Sequence, residues 1–170
     1  RNKELLKYAQ TDALTGLYNK ETTEQLTDEL LSEDENKSHA FLILDVDCFK
    51  QINDIYGHAV GDIVLQKFGK LLKGTFREGD ILGRIGGDEF GVIMKNIQTK
   101  DIAMKKAGEL LAKTQAYKID ELKGNNISIS IGISTAPQDG DCYMDLYKRA
   151  DQALYQAKRS GKARVCNYFS

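Results

Sequence analysis

Apolar positions along the chain repeat with two different periods, and the two periods divide it into elements. Val60, Val64, Phe68, Leu71 and Leu72 fall on one face of a helix, which predicts helix over 59–76. Helical patterning also covers 2–10, 100–116, 142–159 and 19–32, the last with Asn19 as its N-cap. Ala40–Val46 (AFLILDV) is a short run broken by one acid, the signature of a strand covered on both faces. Ile127, Ile129, Ile131 and Ile133 alternate with small or polar residues and predict a strand over 127–135. Asp80–Arg84 and Phe90–Lys95 flank Gly86 and Gly87, which reads as a hairpin whose turn needs the positive φ that glycine supplies. Arg164–Tyr168 closes the chain as a strand, Thr11–Asp12 punctuate its beginning, and Ser32–Ser38 is a solvated connection.

After two leading helices the order is therefore β, α, β, β, α, β, α, β. The β-α-β-β-α-β portion is the ferredoxin-like pattern of an α+β fold, here with added N-terminal helices, a C-terminal helix and a closing strand. In that topology the first strand lies antiparallel to the third, so its end sits beside the Gly-Gly hairpin. Asp45 and Asp47 are thereby expected next to Asp88 and Glu89, although far from them in sequence.

Composition narrows the function classes. The 170 residues, 41% apolar with 15 Gly, suit one domain able to bury a core. A net charge of −1 argues against a nucleic-acid polymer as partner, because coating such a polymer needs a basic face, but not against a small anion. The 3 Cys form no CxxC pair, so a reducing, cytoplasmic setting without disulfide or zinc is expected. No apolar run reaches the roughly 20 residues of a membrane helix, so no direct membrane contact is expected. The chain opens on Arg1 without a Met or a signal-like stretch, from which we expect a segment of a longer protein whose membrane anchor, if any, lies elsewhere.

An acid at the end of an apolar strand, as Asp45 is, must be hydrated, paired or metal-bound. Asp45 alone could cap the next helix, and Asp88–Glu89 alone could be a charged turn. Converging from two neighbouring strands, they make an oxygen-rich pocket suited to Mg2+ or Mn2+ and to phosphoryl or nucleotidyl transfer. Gly86 and Gly87 add a backbone that a ligand can approach closely.

Gly86-Gly87-Asp88-Glu89-Phe90 spells GGDEF, and the chain resembles the diguanylate cyclase family named for it. The resemblance extends to Asp12–Asn19 (DALTGLYN), to Asp45–Asp62 (DVDCFKQINDIYGHAVGD) and to Ala150–Lys162 (ADQALYQAKRSGK), in the family's order and over nearly the whole chain. It implies a fold of the nucleotidyl cyclase and polymerase palm type, with 1–10 as the end of a signalling helix and 11–170 as the catalytic domain.

The implied roles follow residue by residue. Asp45 and Asp88 would bind the metal with the Val46 carbonyl, Glu89 would support it, and Asp88 would take the proton of the ribose 3′-hydroxyl. Lys50 would steady phosphate charge, and the amides of Cys48, Phe49 and Lys50 would cradle the phosphates. Asn53 and Asp62 would contact guanine, with His58 near the nucleotide; a carboxylate can accept from both N1–H and the N2 amino group, a pair adenine lacks. Read without the family, Asn53–Asp54 is an Asx turn, Asp62 a first-turn helix acid, and Lys158 and Lys162 dipole-complementing surface charge. The resemblance makes those two lysines triphosphate ligands; the family usually has Arg at Lys162 and Lys20, and lysine keeps the charge but loses the fork. Arg77–Asp80 fits the family's RxxD product-inhibition signature, the alternative being a charged hairpin shoulder.

The activity so implied condenses two GTP into cyclic di-GMP and two pyrophosphates across a homodimer, under an upstream sensor domain, with cyclic di-GMP both product and inhibitor. The competing expectation is a catalytically silent domain that binds GTP or cyclic di-GMP as a sensor.

Overall fold

Strand β1 (His39–Val46) is buried along its whole length, as its near-continuous apolar run requires. The computed structural model describes residues 2–33 and 35–169. Helices α1 (Asn2–Gln10) and α2 (Lys20–Glu33) precede β1, then α3 (Phe49–Tyr56), α4 (His58–Thr75), β2 (Ile81–Arg84) and β3 (Glu89–Met94) follow. The chain continues through α5 (Lys100–Ala116), a 3-10 turn at Asp120–Leu122, β4 (Ile129–Ala136), α6 (Tyr143–Arg159) and β5 (Val165–Asn167). The strands form one sheet in the order β2-β3-β1-β4-β5, antiparallel except for the β4–β5 pair. The first four reproduce the ferredoxin-like arrangement, and β1 lies against β3 as the sequence required.

Side-chain parity on β1 assigns the two faces of the sheet. Leu42, Leu44 and Val46 join Val64, Phe68 and Leu72 of α4 and Ala107 and Leu110 of α5 in one core cluster. Phe41 and Ile43 join Leu30 and Leu31 of α2 and Tyr143, Leu146, Ala150 and Leu154 of α6 in the other. Asp45 shares the parity of Phe41 and Ile43, so its side chain emerges on the α6 side.

Most boundaries agree with the sequence reading. Asn19 does cap α2, its Oδ1 accepting from the amide of Thr22 at 2.9 Å. Three differences have physical reasons. The stretch after β1 is a separate short helix, α3, whose Phe49, Ile52 and Tyr56 pack partly buried against the core; at eight residues it carries too few turns of that pattern to stand out in sequence. The strand expected from Ile127 pairs only from Ile129, opposite Val46 where β1 ends. Gly86 and Gly87 do not adopt positive φ: residues 85–88 form a longer loop, closed by Ile85 N–H and Gly86 N–H donating to the Glu89 carbonyl at 2.9 and 3.1 Å. Arg1 of the expected signalling helix and Asp34 of the expected connection lie outside the described residues.

Candidate active site

Register delivers the acids to one another. Asp45, near the end of β1, pairs directly with Glu89, the first residue of β3, and the Val46 amide donates to the Asp88 carbonyl at 3.3 Å. Asp45 is 8% exposed, and its carboxyl lies within hydrogen-bonding reach of that of Asp88. Its Oδ2 accepts from Lys158 on α6, while its buried Oδ1 has no partner. Burial, then the Asp88 carboxyl, raises the Asp45 pKa to about 7 even against Lys158. Lys158 loses to burial but gains more from Asp45 and Asp88, and its own pKa rises. Burial also raises Glu89, whose Oε1 accepts from the Tyr147 hydroxyl at 2.7 Å. A buried orphan oxygen beside a second carboxylate is a site short of positive charge, and hard oxygen donors suit a small divalent cation. Asp45, Asp88 and Glu89, with the main chain at Val46, therefore fit Mg2+ or Mn2+.

Folded and cation-free, Asp45 and Glu89 retain protons at pH values where the unfolded chain has released them. Thermal stability of the cation-free domain is accordingly expected to fall as pH rises from about 4 to about 7. Melting curves across that range check this, and Asp45→Asn should flatten the profile.

Asp47 does not join the cluster as the sequence suggested. Its Oδ1 accepts from Ser130 at 2.6 Å, and its Oδ2 from Ser128 at 2.5 Å and the Ala163 amide at 3.1 Å. Both oxygens are thus engaged in tying the end of β1 to β4 and to the turn after α6. That turn carries Lys162, whose Nζ lies 3.1 Å from Cys48 Sγ at the start of α3. Cys48 is left-handed (φ 56°) and makes no side-chain cap. The first amides of α3, Phe49 and Lys50 among them, have no intrahelical acceptor and form an anion-binding terminus. Lys50 is exposed there, and Lys158 and Lys162 arrive from the opposite wall.

Helices α3 and α4 meet at Gly57 (φ 92°), which lets the chain reverse. The side chain of Asn53 then rests on Gly61, where any Cβ would overlap Asn53 Oδ1. That Oδ1 is buried without a partner, and exposed Asp62 follows Gly61 directly, with exposed His58 one turn earlier. Asn53, His58 and Asp62 thereby lie close together where α3 meets α4, with the Asp62 carboxylate as an exposed acceptor.

Arg84 had no role assigned from sequence, yet it holds the glycine loop. Its Nε and Nη2 donate to the Gly87 carbonyl at 3.1 and 2.8 Å, and its Nη1 to Asp12 at 3.1 and 3.3 Å. Although burial opposes it, Thr15 and Arg84 keep Asp12 below the usual carboxylate range. A Cβ on Gly87 would meet nothing within 4 Å, and one on Gly86 would press on Glu89 Cβ at 3.2 Å. The open loop, rather than positive φ, is what glycine provides here. Tyr147 was also missed, since a tyrosine on an amphipathic helix reads as core; only the fold aims its hydroxyl at Glu89.

Arg77 and Asp80 lie at the other end of β2. Buried Asp80 accepts from Arg77 Nη2 and the Lys95 amide, both at 3.1 Å, and Arg77 also bonds the Lys95 carbonyl. The Arg77 side chain is 60% exposed and edges a cavity of about 490 Å³ that Lys73 and Tyr18 also line. Among the described residues no helix is long and apolar enough to cross a membrane.

The family profile "Diguanylate cyclase, GGDEF domain" matches residues 9–164. Diguanylate cyclase A of Treponema denticola is 37% identical over 96% of this chain and 46% of its own. The response regulator PleD of Caulobacter vibrioides is 37% identical over 94% of this chain and 36% of its own. This chain thus spans less than half the length of these relatives. The solved GGDEF domain of TpbB from Pseudomonas aeruginosa superimposes with a TM-score of 0.88 at 33% identity, covering 94% of each chain.

Proposed function

Since the chain belongs to the GGDEF domain family of diguanylate cyclases, we propose that residues 11–170 condense two GTP molecules into cyclic di-GMP and two pyrophosphates. The observation that carries this is the meeting of Asp45 with Asp88 beside an unpartnered buried oxygen, facing the amide terminus of α3 and two lysines. Acids short of a cation, and helix amides short of an anion a few residues further along the chain, suit a metal–triphosphate.

Asp45 and Asp88, with the Val46 carbonyl and support from Glu89, would hold Mg2+ or Mn2+; the bound cation lowers the pKa of the ribose hydroxyl and offsets phosphate charge. Asp88, half-buried at the loop, accepts the proton of the 3′-hydroxyl. The amides of Cys48, Phe49 and Lys50 orient the phosphates, and Lys50, Lys158 and Lys162 neutralise them. Lys158 resting on Asp45 keeps the acid paired until substrate arrives. The open Gly86–Gly87 loop admits the ribose and phosphates.

Base choice rests on acceptors. The exposed Asp62 carboxylate would accept from both N1–H and the N2 amino group of guanine, with Asn53 beside it, whereas adenine offers no such pair and would leave Asp62 unpaired. Gly61→Ala should displace Asn53, whose amide end yields at little cost to the fold, and raise the KM for GTP about tenfold with the melting temperature nearly unchanged. Steady-state kinetics beside a melting curve check this.

One GTP per domain cannot close a two-fold ring, so the active form is a homodimer with facing sites. Helix α1, within residues 1–10, is the end of a signalling helix through which an upstream sensor sets that pairing. Cyclic di-GMP inhibits by binding the exposed guanidinium of Arg77, which Asp80 orients.

The test is mass spectrometry of products after incubation with GTP and Mg2+, at several protein concentrations. Cyclic di-GMP with stoichiometric pyrophosphate, and specific activity rising with concentration, are expected. GTP bound but unchanged would overturn the catalytic reading and leave a nucleotide sensor; turnover of ATP would overturn the assignment of Asn53 and Asp62.

A further inference from the structure

Helix α6 contacts two of the acids at once. Tyr147 and Lys158 lie on one face of it, and they donate to Glu89 and Asp45, which are register partners on β3 and β1. Lys158 can swing to a phosphate, but Tyr147 is fixed. Its ring stacks on Tyr143, centroids 5.8 Å apart and planes at 30°. Tyr143 is fully buried and meets Phe41 of β1 edge-on at 5.4 Å. The phenol is thus braced through two aromatic rings against the strand that carries Asp45. Its hydroxyl donates to Oε1 of Glu89 at 2.7 Å.

We infer that Tyr147 is a positioning residue for metal selectivity: by donating to Oε1 of Glu89 it fixes the carboxylate's orientation and weakens Oε1 as a ligand, which favours Oε2 as the oxygen offered to a cation. The inference rests on the metal reading above. A carboxylate with both oxygens available can chelate, which suits Ca2+ with its six to eight ligands at longer distance. Mg2+ demands near-octahedral geometry and takes single carboxylate oxygens. Fixing Glu89 in an orientation that favours one oxygen over chelation by both therefore disfavours Ca2+ relative to Mg2+. No feature of the sequence assigns this role to Tyr147, and the usual reading of such a residue, core packing, explains its ring but not its hydroxyl.

The test is calorimetric titration of Mg2+ and of Ca2+ into the protein bound to the α,β-methylene analogue of GTP. Tyr147→Phe removes only the hydroxyl. It should shift the ratio of the two dissociation constants toward Ca2+ by about tenfold, the size expected when a partner of a metal ligand is lost. In a Glu89→Gln background, where no carboxylate remains to be held, the same change should leave the ratio where it was. A ratio unmoved by Tyr147→Phe in the wild-type background overturns the inference, whatever the melting temperature does. So does an equal shift in both backgrounds, which would mark a general effect of the ring's surroundings. A wild-type protein that binds neither cation sinks the metal reading itself and this inference with it.

Discussion

Asp88→Asn is expected to lower cyclic di-GMP production on the order of 1000-fold while leaving the domain folded and the cation-free protein no less stable. Two effects pull apart here. On the proposed mechanism the substitution would remove a metal ligand and the acceptor for the hydroxyl proton together, and asparagine would replace neither. In the fold it removes a like charge from Asp45, whose pKa stands at about 7 through burial and through the Asp88 carboxyl. Relief of that repulsion favours the cation-free fold. Product formation by mass spectrometry and a melting curve in chelator measure the two effects separately. Activity retained within a few-fold would exclude Asp88 from the chemistry. A collapse of the melting temperature would mean that the acids are structural.

Gly132→Ala should be strongly destabilising, costing about 3 kcal/mol, or roughly 10 °C in melting temperature for a domain of this size. Gly132 lies mid-β4, between Ile43 of β1 and Cys166 of β5. A Cβ there would overlap the Ala150 carbonyl and the Leu154 amide of α6 and come within 2.9 Å of Leu154 Cα. All three are backbone atoms of a helix, so no rotamer change relieves the overlap, and α6 must lift from the sheet. Because α6 carries Tyr147 and Lys158, the same movement withdraws both donors from the acids. Activity should therefore fall further than the remaining folded fraction explains. Thermal unfolding and activity per folded molecule test the two halves. A change under about 1 kcal/mol would show that α6 yields easily and that the close helix–sheet approach is unimportant.

Periodicity in the sequence was enough to set the order of elements and the sheet. Ala40–Val46 could only be an interior strand, the isoleucines from Ile127 could only alternate across a sheet, and the ferredoxin-like order then put β1 beside β3. Hydrophobic burial is encoded locally, so elements that bury a face announce themselves. Helix α3 is only eight residues long and buries its apolar face, Phe49, Ile52 and Tyr56, only in part, so its signal was weaker. The family motifs pointed to candidate site residues, and the fold brings Asp45, Asp88 and Glu89 together at the end of β1, with Lys158 on Asp45 and Lys162 beside Cys48.

What each polar group is bonded to was decided only in three dimensions. Asp45 and Asp47 look alike in sequence, two acids around one valine. Yet Asp47 is satisfied by Ser128, Ser130 and Ala163, while Asp45 keeps an unpartnered oxygen. Arg84 reaching Asp12 and Gly87, and Tyr147 reaching Glu89, are likewise contacts between elements remote in the chain. A hydrogen bond depends on tenths of an ångström and on direction, whereas burial depends only on which side of an element a residue occupies. The amino-acid order determines the second through its period; the first exists only once the sheet and its helices are assembled.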